Sequence, residues 1–193
     1  ASVFFMAFFA SFMFRLTILL QQGEHVEPLH AGLVFAPSGV TFALSSLLMR
    51  GWVAQNRQRA IRTGAMITIL GLIIAALGLT IDGLSTVGLI IIAVCLTGFG
   101  NGLVLPTLIG VALSDVPPMK AGVGSGIMTA SQQFAASAGV ALLGTLYFSQ
   151  AASIGHQYAM ALTFIIDIAL LIGVILIAGL PSRSARKKAA TAA

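Results

Sequence analysis

Five side chains that carry a charge or an amide group lie well inside apolar stretches of this 193-residue sequence. Such groups are costly to place in a nonpolar environment, so they mark candidate binding sites, proton-binding sites or contacts between helices. A carboxylate can take up and release a proton, a guanidinium can hold an anion, and an amide can donate and accept hydrogen bonds. The five residues are Arg15, Asn101, Gln132, Gln133 and Asp167.

Arg15 lies about 12 residues into the first apolar run, which is roughly 18 Å along a helix. An arginine at membrane depth costs about 2.5 kcal/mol or more, so it normally faces protein or water, in a functional site or an ion pair. In the alternative interpretation, the long side chain reaches the outer headgroups, since about six residues remain before the run ends. Both interpretations remain open at this point.

Asp167 is the only acidic residue inside an apolar run, and it lies near the middle of the last one. Acidic residues at membrane depth form proton relays in pumps and transporters, so Asp167 is a candidate for carrying a coupling proton. The alternative is a neutral acid that forms a hydrogen bond with a neighbouring helix.

Asn101 and the two glutamines also have a functional and a structural interpretation. The Asn101 amide can form hydrogen bonds with a substrate or with another helix. Gln132 and Gln133 share roughly one helix face with Ser125 and Thr129, because the four residues follow the spacing of successive helical turns. Such a face can hold helices or bundles together, or it can contact a substrate.

The composition identifies the elements that must position these side chains. The sequence is 58% hydrophobic and 8% charged, and its mean hydropathy is +1.03. Average soluble domains carry roughly 25% charged residues, so an ordinary soluble domain and a disordered chain are excluded. The single cysteine, Cys95, excludes a disulfide scaffold.

Six apolar runs, separated by short polar breaks, have the length of about 20 residues that a transmembrane helix needs. They are apolar on every face instead of alternating, which favours helices over the strands of a barrel. The sequence therefore predicts an all-α polytopic membrane protein. The predicted spans are residues 3–21, 30–49, 63–80, 86–108 (or 86–113), 121–148 and 158–180.

The cations in the breaks predict the orientation. Breaks two and four and the tail carry nine Lys and Arg residues, whereas breaks one, three and five carry none. The positive-inside rule then places both termini in the cytoplasm. We predict that residues 1–181 form one transmembrane bundle in the inner membrane and that residues 182–193 form a basic cytoplasmic tail. Arg57, Arg59 and Arg62 form a basic cytoplasmic loop that contacts anionic lipid headgroups.

Several functions are excluded by the residues that the sequence lacks. His25, His30 and His156 are spread over separate segments without a coordinating cluster, so no metal site is predicted. No phosphate-binding loop, nucleophile elbow or metalloprotease helix occurs, so we predict neither an enzyme nor a bound cofactor. Because the cations follow the membrane topology, no nucleic-acid partner is predicted either.

Glycine pairs in two of the spans predict close helix packing. Gly98 and Gly102, and likewise Gly122 and Gly126, have the GxxxG spacing that lets helix backbones approach each other.

A long ordered pattern extends over about residues 1 to 150 and resembles the C-terminal half of the fourteen-helix drug:proton antiporter branch of the major facilitator superfamily. In that pattern Gln132 replaces a common arginine, Thr129 a common asparagine and Gln55 a common acidic residue. The matching segments are Leu20-Gln21-x-Gly23-x-x-x-x-Pro28-Leu29-x-Ala31-Gly32-Leu33, Gly98-x-Gly100-x-Gly102-x-x-x-Pro106, Val116-Pro117, Ala121-Gly122-x-x-Ser125-Gly126-x-x-Thr129-x-x-Gln132-Gln133 and Gly139-Val140-Ala141-x-x-Gly144.

The resemblance implies a 3+3 inverted repeat within one six-helix bundle, in which the first helix of each triplet lines a cavity and the third lies at the periphery. It further implies efflux of small hydrophobic molecules by alternating access, coupled to protons and driven by a proton gradient. The implied partner is an N-terminal half of six or eight helices, or a second copy of this chain. The chain begins almost inside a span, as expected for a fragment. The alternative is a truncated, non-transporting membrane scaffold or pairing subunit.

Overall fold

The computed structural model of the chain describes residues 1–81, 86–114 and 116–179, apart from the side chain of Thr86. Every regular element in these ranges is helical, and six helices are long and apolar enough to cross a membrane. The predicted all-α polytopic membrane fold with six spans is therefore confirmed. The helices are α1 (Ser2–Ile18), α2 (Pro28–Leu48), α3 (Arg50–Gln55), α4 (Arg57–Thr80), α5 (Thr86–Leu113), α6 (Ala121–Ile154) and α7 (His156–Gly179).

Two shorter helical turns flank these elements. A π-helical turn, Leu19–Gly23, continues α1, and a single 3-10 turn, Pro118–Lys120, leads into α6. Asp82 and Gly83, which follow the third predicted span, and the basic tail 182–193 lie outside the described residues.

Two of the predicted breaks are wrong because helices continue past the apolar runs. The polar stretch 50–62 was predicted as a loop, but it forms α3 and the first turns of α4, which begins at Arg57. Arginine, glutamine and alanine favour helix, so a helix continues beyond the membrane wherever its next residues allow it. The length of an apolar run reports membrane thickness and not helix length.

The break predicted at 149–157 is reduced to Gly155, which alone separates α6 from α7. Gly155 has φ +84°, a backbone conformation that glycine adopts without the steric cost of a Cβ atom. The two serines before it are helical, and their hydroxyls bond to their own helix: Ser149 donates to the Leu146 carbonyl at 2.8 Å, and Ser153 to the Gln150 carbonyl at 3.0 Å.

The packing of the six long helices follows a 3+3 inverted repeat. α1 packs against α6 and α7, and in the matching way α5 packs against α2 and α4. Exchanging the triplet α1, α2, α4 with the triplet α5, α6, α7 therefore maps these contacts onto one another, and the contact between α4 and α7 maps onto itself. The repeat is not exact, since α6 packs against α7 whereas α2 makes no comparable contact with α4. This arrangement brings the first and last transmembrane helices side by side.

The bundle has two chemically different ends. At the basic end, α2 finishes and α4 and α6 begin; Arg50, Arg57, Arg59, Arg62 and Lys120 lie there. At the acidic end, the π-helical turn after α1 meets the start of α7, and a Cβ atom on Gly23 would lie 3.0 Å from the His156 Cβ atom. Glu24 and Glu27 follow directly in the sequence.

A seam of small residues joins α4 to α5. A Cβ atom on Gly64 would lie 2.6 Å from the Gly100 carbonyl oxygen, and one on Gly71 would lie 2.9 Å from the Ala93 carbonyl oxygen. Small residues let backbones meet where lipid offers no hydrophobic drive for association. This seam was not predicted, although its members recur on α4 at alternating spacings of four and three: Gly64, Thr68, Gly71, Ala75 and Gly78.

The two predicted glycine pairs differ. Gly98 and Gly102 pack against α2, with Ser38 and Ser45 as their closest neighbours, so this prediction is confirmed. Gly122 and Gly126 of α6 have no described side chain or neighbouring backbone within 4 Å of the position of a Cβ atom. Within the described bundle, these two glycines do not pack against another helix.

Candidate functional site

A fully buried ion pair between α1 and α7 is the chemical centre of the bundle. The Arg15 Nη2 atom lies 2.8 Å from Asp167 Oδ1 and 2.7 Å from Asp167 Oδ2. Both side chains have 0% exposure. One N–H-bearing nitrogen thus bonds both carboxylate oxygens and fixes the orientation of the acid.

Ser11, one turn earlier on α1, positions the arginine. The Arg15 Nε atom donates to the Ser11 carbonyl at 3.1 Å, and Nη2 also lies 3.4 Å from the Ser11 hydroxyl oxygen. Phe12 packs against Phe164 on the other side, with ring centroids 6.1 Å apart. The guanidinium is therefore held against α1 and contacts the Asp167 carboxylate of α7 between apolar side chains.

These contacts decide between the interpretations that the sequence left open. Arg15 does not extend to the headgroups, because its guanidinium folds back along α1 and is fully buried. Asp167 bonds to a neighbouring helix, as one interpretation held, but its partner is an arginine that the sequence did not link to it. A role for either residue in transport stays a prediction.

One nitrogen of the guanidinium remains without a hydrogen-bond acceptor. Arg15 Nη1 is buried and has no partner among the described residues. Buried polar groups normally have one, and an unmet donor costs about 1–3 kcal/mol. The ion pair is therefore incompletely satisfied, and Nη1 is available to a second acceptor.

A second polar cluster lies between this pair and the acidic end. Tyr147 of α6 has 0% exposure, and its hydroxyl lies 2.8 Å from Nδ1 of His156 at the start of α7. Beside it, Gln157 Nε2 donates to Glu24 Oε1 at 2.6 Å. The end of α1, the end of α6 and the start of α7 are thereby joined by hydrogen bonds.

The register of α1 and α6 brings Tyr147 to the level of Arg15. Gly139 packs directly on the Ala7 backbone, and further along a Cβ atom on Gly144 would lie 3.4 Å from the Phe14 ring. Both helices run from the basic to the acidic end, so the next turn of α6 places Tyr147 beside the turn of α1 that holds Arg15.

Asn101 lies inside the bundle, at the seam between α4 and α5. It is 2% exposed, and its Oδ1 atom lies 3.4 Å from the Thr68 hydroxyl, which also donates to the Gly64 carbonyl at 3.0 Å. In this conformation its amide faces another helix. A substrate contact at Asn101 remains a prediction.

The polar face predicted on α6 is real but unpartnered within the described chain. Ser125, Thr129 and Gln133 are exposed, whereas Gln132 is half-buried and its Nε2 atom has no acceptor. Ser125 bonds only to the Gly122 carbonyl of its own helix, at 2.9 Å. The face therefore does not hold this bundle together.

At the basic end, Arg57, Arg59 and Arg62 are exposed. Arg57 and Arg50 line a cavity of about 220 Å³ between α3 and the C-terminal half of α5, beside Pro106 and Thr107. These residues are helical and not a loop, but their exposure agrees with the predicted basic surface, whose contacts with lipid headgroups stay a prediction.

Residues 1–140 match the Major Facilitator Superfamily. The chain belongs to this superfamily. The match covers α1 to α5 and the first part of α6, and so includes Arg15 but not Asp167. Membership of the superfamily agrees with the inverted repeat of the helix contacts.

Three curated proteins are similar over most of this chain. A protein named "Probable actinorhodin transporter" from Streptomyces coelicolor is 34% identical over 69% of the chain. The Lincomycin resistance protein of Streptomyces lincolnensis is 31% identical over 77% of the chain, and the Cephamycin export protein of Amycolatopsis lactamdurans is 31% identical over 69%. The matched regions make up only 23%, 31% and 27% of the lengths of these relatives.

Proposed function

We propose that this chain is one six-helix half of a secondary active transporter that exports small molecules by alternating access. The names of the relatives support export of antibiotic-like compounds, and their greater length supports a second bundle in the complete protein. The single observation that carries the proposal is the buried Arg15–Asp167 pair, because ionisable residues at membrane depth mark transport pathways.

The unpartnered face of α6 supports a second bundle as the partner. Gly122, Gly126 and Gln133 are open in the bundle described here. Small and polar residues of this kind suit contact with protein better than contact with lipid. The proposed arrangement is the C-terminal half of a fourteen-helix drug:proton antiporter in the inner membrane, with the basic end in the cytoplasm.

Asp167 is the proposed site of proton coupling. When the carboxylate binds a proton, it loses its charge and its ionic attraction to Arg15, so the contact between α1 and α7 weakens. When the proton leaves, the pair forms again. A buried charge pair that forms and breaks in this way gives the bundle two states whose balance depends on the proton.

The test uses the full-length transporter in proteoliposomes, with lincomycin and a panel of cationic dyes as probes. Asp167→Asn should abolish proton-driven efflux but retain exchange of probe across the membrane, because exchange needs no net proton movement. Since Asn leaves Arg15 unpaired, Arg15→Gln/Asp167→Asn provides a neutral hydrogen-bonded pair as a second variant. Glu27→Gln, at an exposed acid of the acidic end, is the matched control.

Normal proton-driven efflux in both Asp167 variants would remove the coupling role. A full-length protein that folds but moves none of the probes, with or without a gradient, would favour the non-transporting scaffold instead.

A further inference from the structure

We propose that the cavity at the basic end of the bundle binds the phosphate group of an anionic phospholipid. The site lies apart from the buried ion pair, and the transport cycle proposed above does not depend on it. It differs from the general attraction of a basic surface to headgroups, because it assigns one cavity and only two of the exposed arginines to the ligand.

Two arginines line the same small cavity. Arg50 of α3 and Arg57 at the start of α4 both border its volume of about 220 Å³. Neither has an ion-pair partner among the described residues. The sequence places one acidic residue near this end, Asp115, which lies outside the described residues. Two like charges beside one cavity repel each other, and an anion bound between them replaces this repulsion with attraction.

The donors of the lining fit a phosphate group. A guanidinium can bind phosphate through two parallel N–H···O bonds, a geometry that a lysine does not offer. The Ser46 hydroxyl also lines the cavity and has no hydrogen-bond partner among the described residues, so it can donate to the same anion. The cavity therefore presents two charged donors and one neutral donor.

The acceptors of the lining favour a headgroup that carries a hydroxyl beside its phosphate. Pro106 has no N–H group and cannot donate to the Gly102 carbonyl four residues earlier, and both residues line the cavity. The Thr107 hydroxyl already donates to the Leu103 carbonyl at 2.6 Å, so it can only accept from a ligand. Bare phosphate offers these two oxygens little, whereas the glycerol of phosphatidylglycerol can donate to them.

Size and position favour a lipid headgroup over a transported drug. Pockets for drug-sized ligands have volumes of about 300–1,000 Å³, and this cavity of about 220 Å³ is smaller. Ser46 lies just before α2 ends at Leu48, so the cavity lies where a membrane-spanning helix reaches the headgroup layer. Basic pockets between transmembrane helices bind anionic headgroups at this level.

The experiment counts the lipids bound to the detergent-purified full-length protein by native mass spectrometry. Phosphatidylglycerol is the probe, and phosphatidylcholine, which has no net charge and no headgroup hydroxyl, is the reference lipid. The first phosphatidylglycerol should bind with an apparent Kd at least about tenfold lower than that of phosphatidylcholine. Equal Kd values for the two lipids would overturn the proposal.

A matched pair of double variants separates the cavity from the basic surface. Arg50→Gln/Arg57→Gln should weaken binding of the first phosphatidylglycerol by at least about tenfold. Arg59→Gln/Arg62→Gln removes the same charge from exposed arginines of the same segment that do not line the cavity. It should change the Kd by less than about threefold, because exposed charges are screened. Equal weakening in both variants would overturn the site in favour of general attraction.

A second pair of variants keeps every charge and tests the cavity itself. Gly110 lines the cavity, and a Cβ atom on it meets nothing within 4 Å, so Gly110→Leu fills the space without overpacking the bundle. Gly51→Leu is the control, because Gly51 is equally open at the same end but does not line the cavity. Only Gly110→Leu should weaken phosphatidylglycerol binding. Wild-type affinity in that variant would mean that the lipid binds outside the cavity.

Soluble glycerol phosphate distinguishes a lipid from a free phosphate compound. It has the same phosphate and glycerol groups but no acyl chains, so it should displace phosphatidylglycerol only at concentrations at least about a hundredfold above the Kd of the lipid. Displacement at concentrations near that Kd would assign the cavity to a soluble phosphate ester and overturn the lipid as its ligand.

Discussion

A methyl group on Gly64 would lie 2.6 Å from the Gly100 carbonyl oxygen on the facing helix. Real Cβ atoms do not come this close, so the two backbones would have to separate. The seam between α4 and α5 thus depends on the absence of side chains, in the same region where Asn101 is buried.

Gly64→Ala should therefore destabilise the protein by about 1–3 kcal/mol, the usual cost of overpacking. Thermal unfolding of the detergent-solubilised protein, followed by size-exclusion chromatography, measures the loss. Gly173→Ala is the control, because a Cβ atom on Gly173 meets nothing within 4 Å. Equal melting temperatures for the two variants would contradict the packing argument.

The ion pair should show strong coupling in a double-mutant cycle. Arg15→Leu or Asp167→Leu alone leaves a buried charge without its partner, which costs about 3–5 kcal/mol. The double variant removes both charges and should be much more stable than the sum of the single losses predicts. Denaturation in mixed detergent micelles gives the three values, and additive losses would argue against a direct pair.

The orientation can be tested with single cysteines in a Cys95→Ser background. Glu27→Cys at the acidic end and Arg59→Cys at the basic end both replace exposed residues. A membrane-impermeant maleimide added outside intact cells should label the first and not the second, since positive charge stays in the cytoplasm. Labelling of Arg59→Cys from outside would reverse the topology.

The open face of α6 should matter for assembly with the other half. Gly126→Leu places a bulky side chain on that face, whereas Gly173→Leu places it on α7, between the exposed Ile172 and Leu176. When the two halves of the transporter are expressed separately, Gly126→Leu should reduce their co-purification and Gly173→Leu should not. The stability of the bundle itself should be similar in both variants.

The number and type of elements were predictable because the bilayer imposes them: each apolar run must be long enough to span it. The helix ends were not, since α4 starts at Arg57 and α6 continues to Ile154 through residues whose polarity resembles that of a loop. Polarity marks where the membrane ends, while backbone hydrogen bonding and a residue such as Gly155 mark where the helix ends.

The site was predictable in its members but not in its pairing. Arg15 and Asp167 are conspicuous because each is an isolated charge in an apolar run. They are 152 positions apart, so only the packing of α1 on α7 reveals that one neutralises the other. Tyr147 was missed, because a tyrosine near the end of a span is ordinary until its hydroxyl is seen bonded to His156.

The separation of the ion pair has a consequence for biosynthesis. Arg15 leaves the ribosome 152 residues before Asp167, which at about 5–20 residues per second is a delay of about 8 to 30 s. During that time α1 carries a guanidinium without its carboxylate partner, and exposing this charge to lipid is energetically unfavourable. The insertion machinery must therefore shelter α1, or let it lie near the surface, until α7 is made and the chain closes on itself.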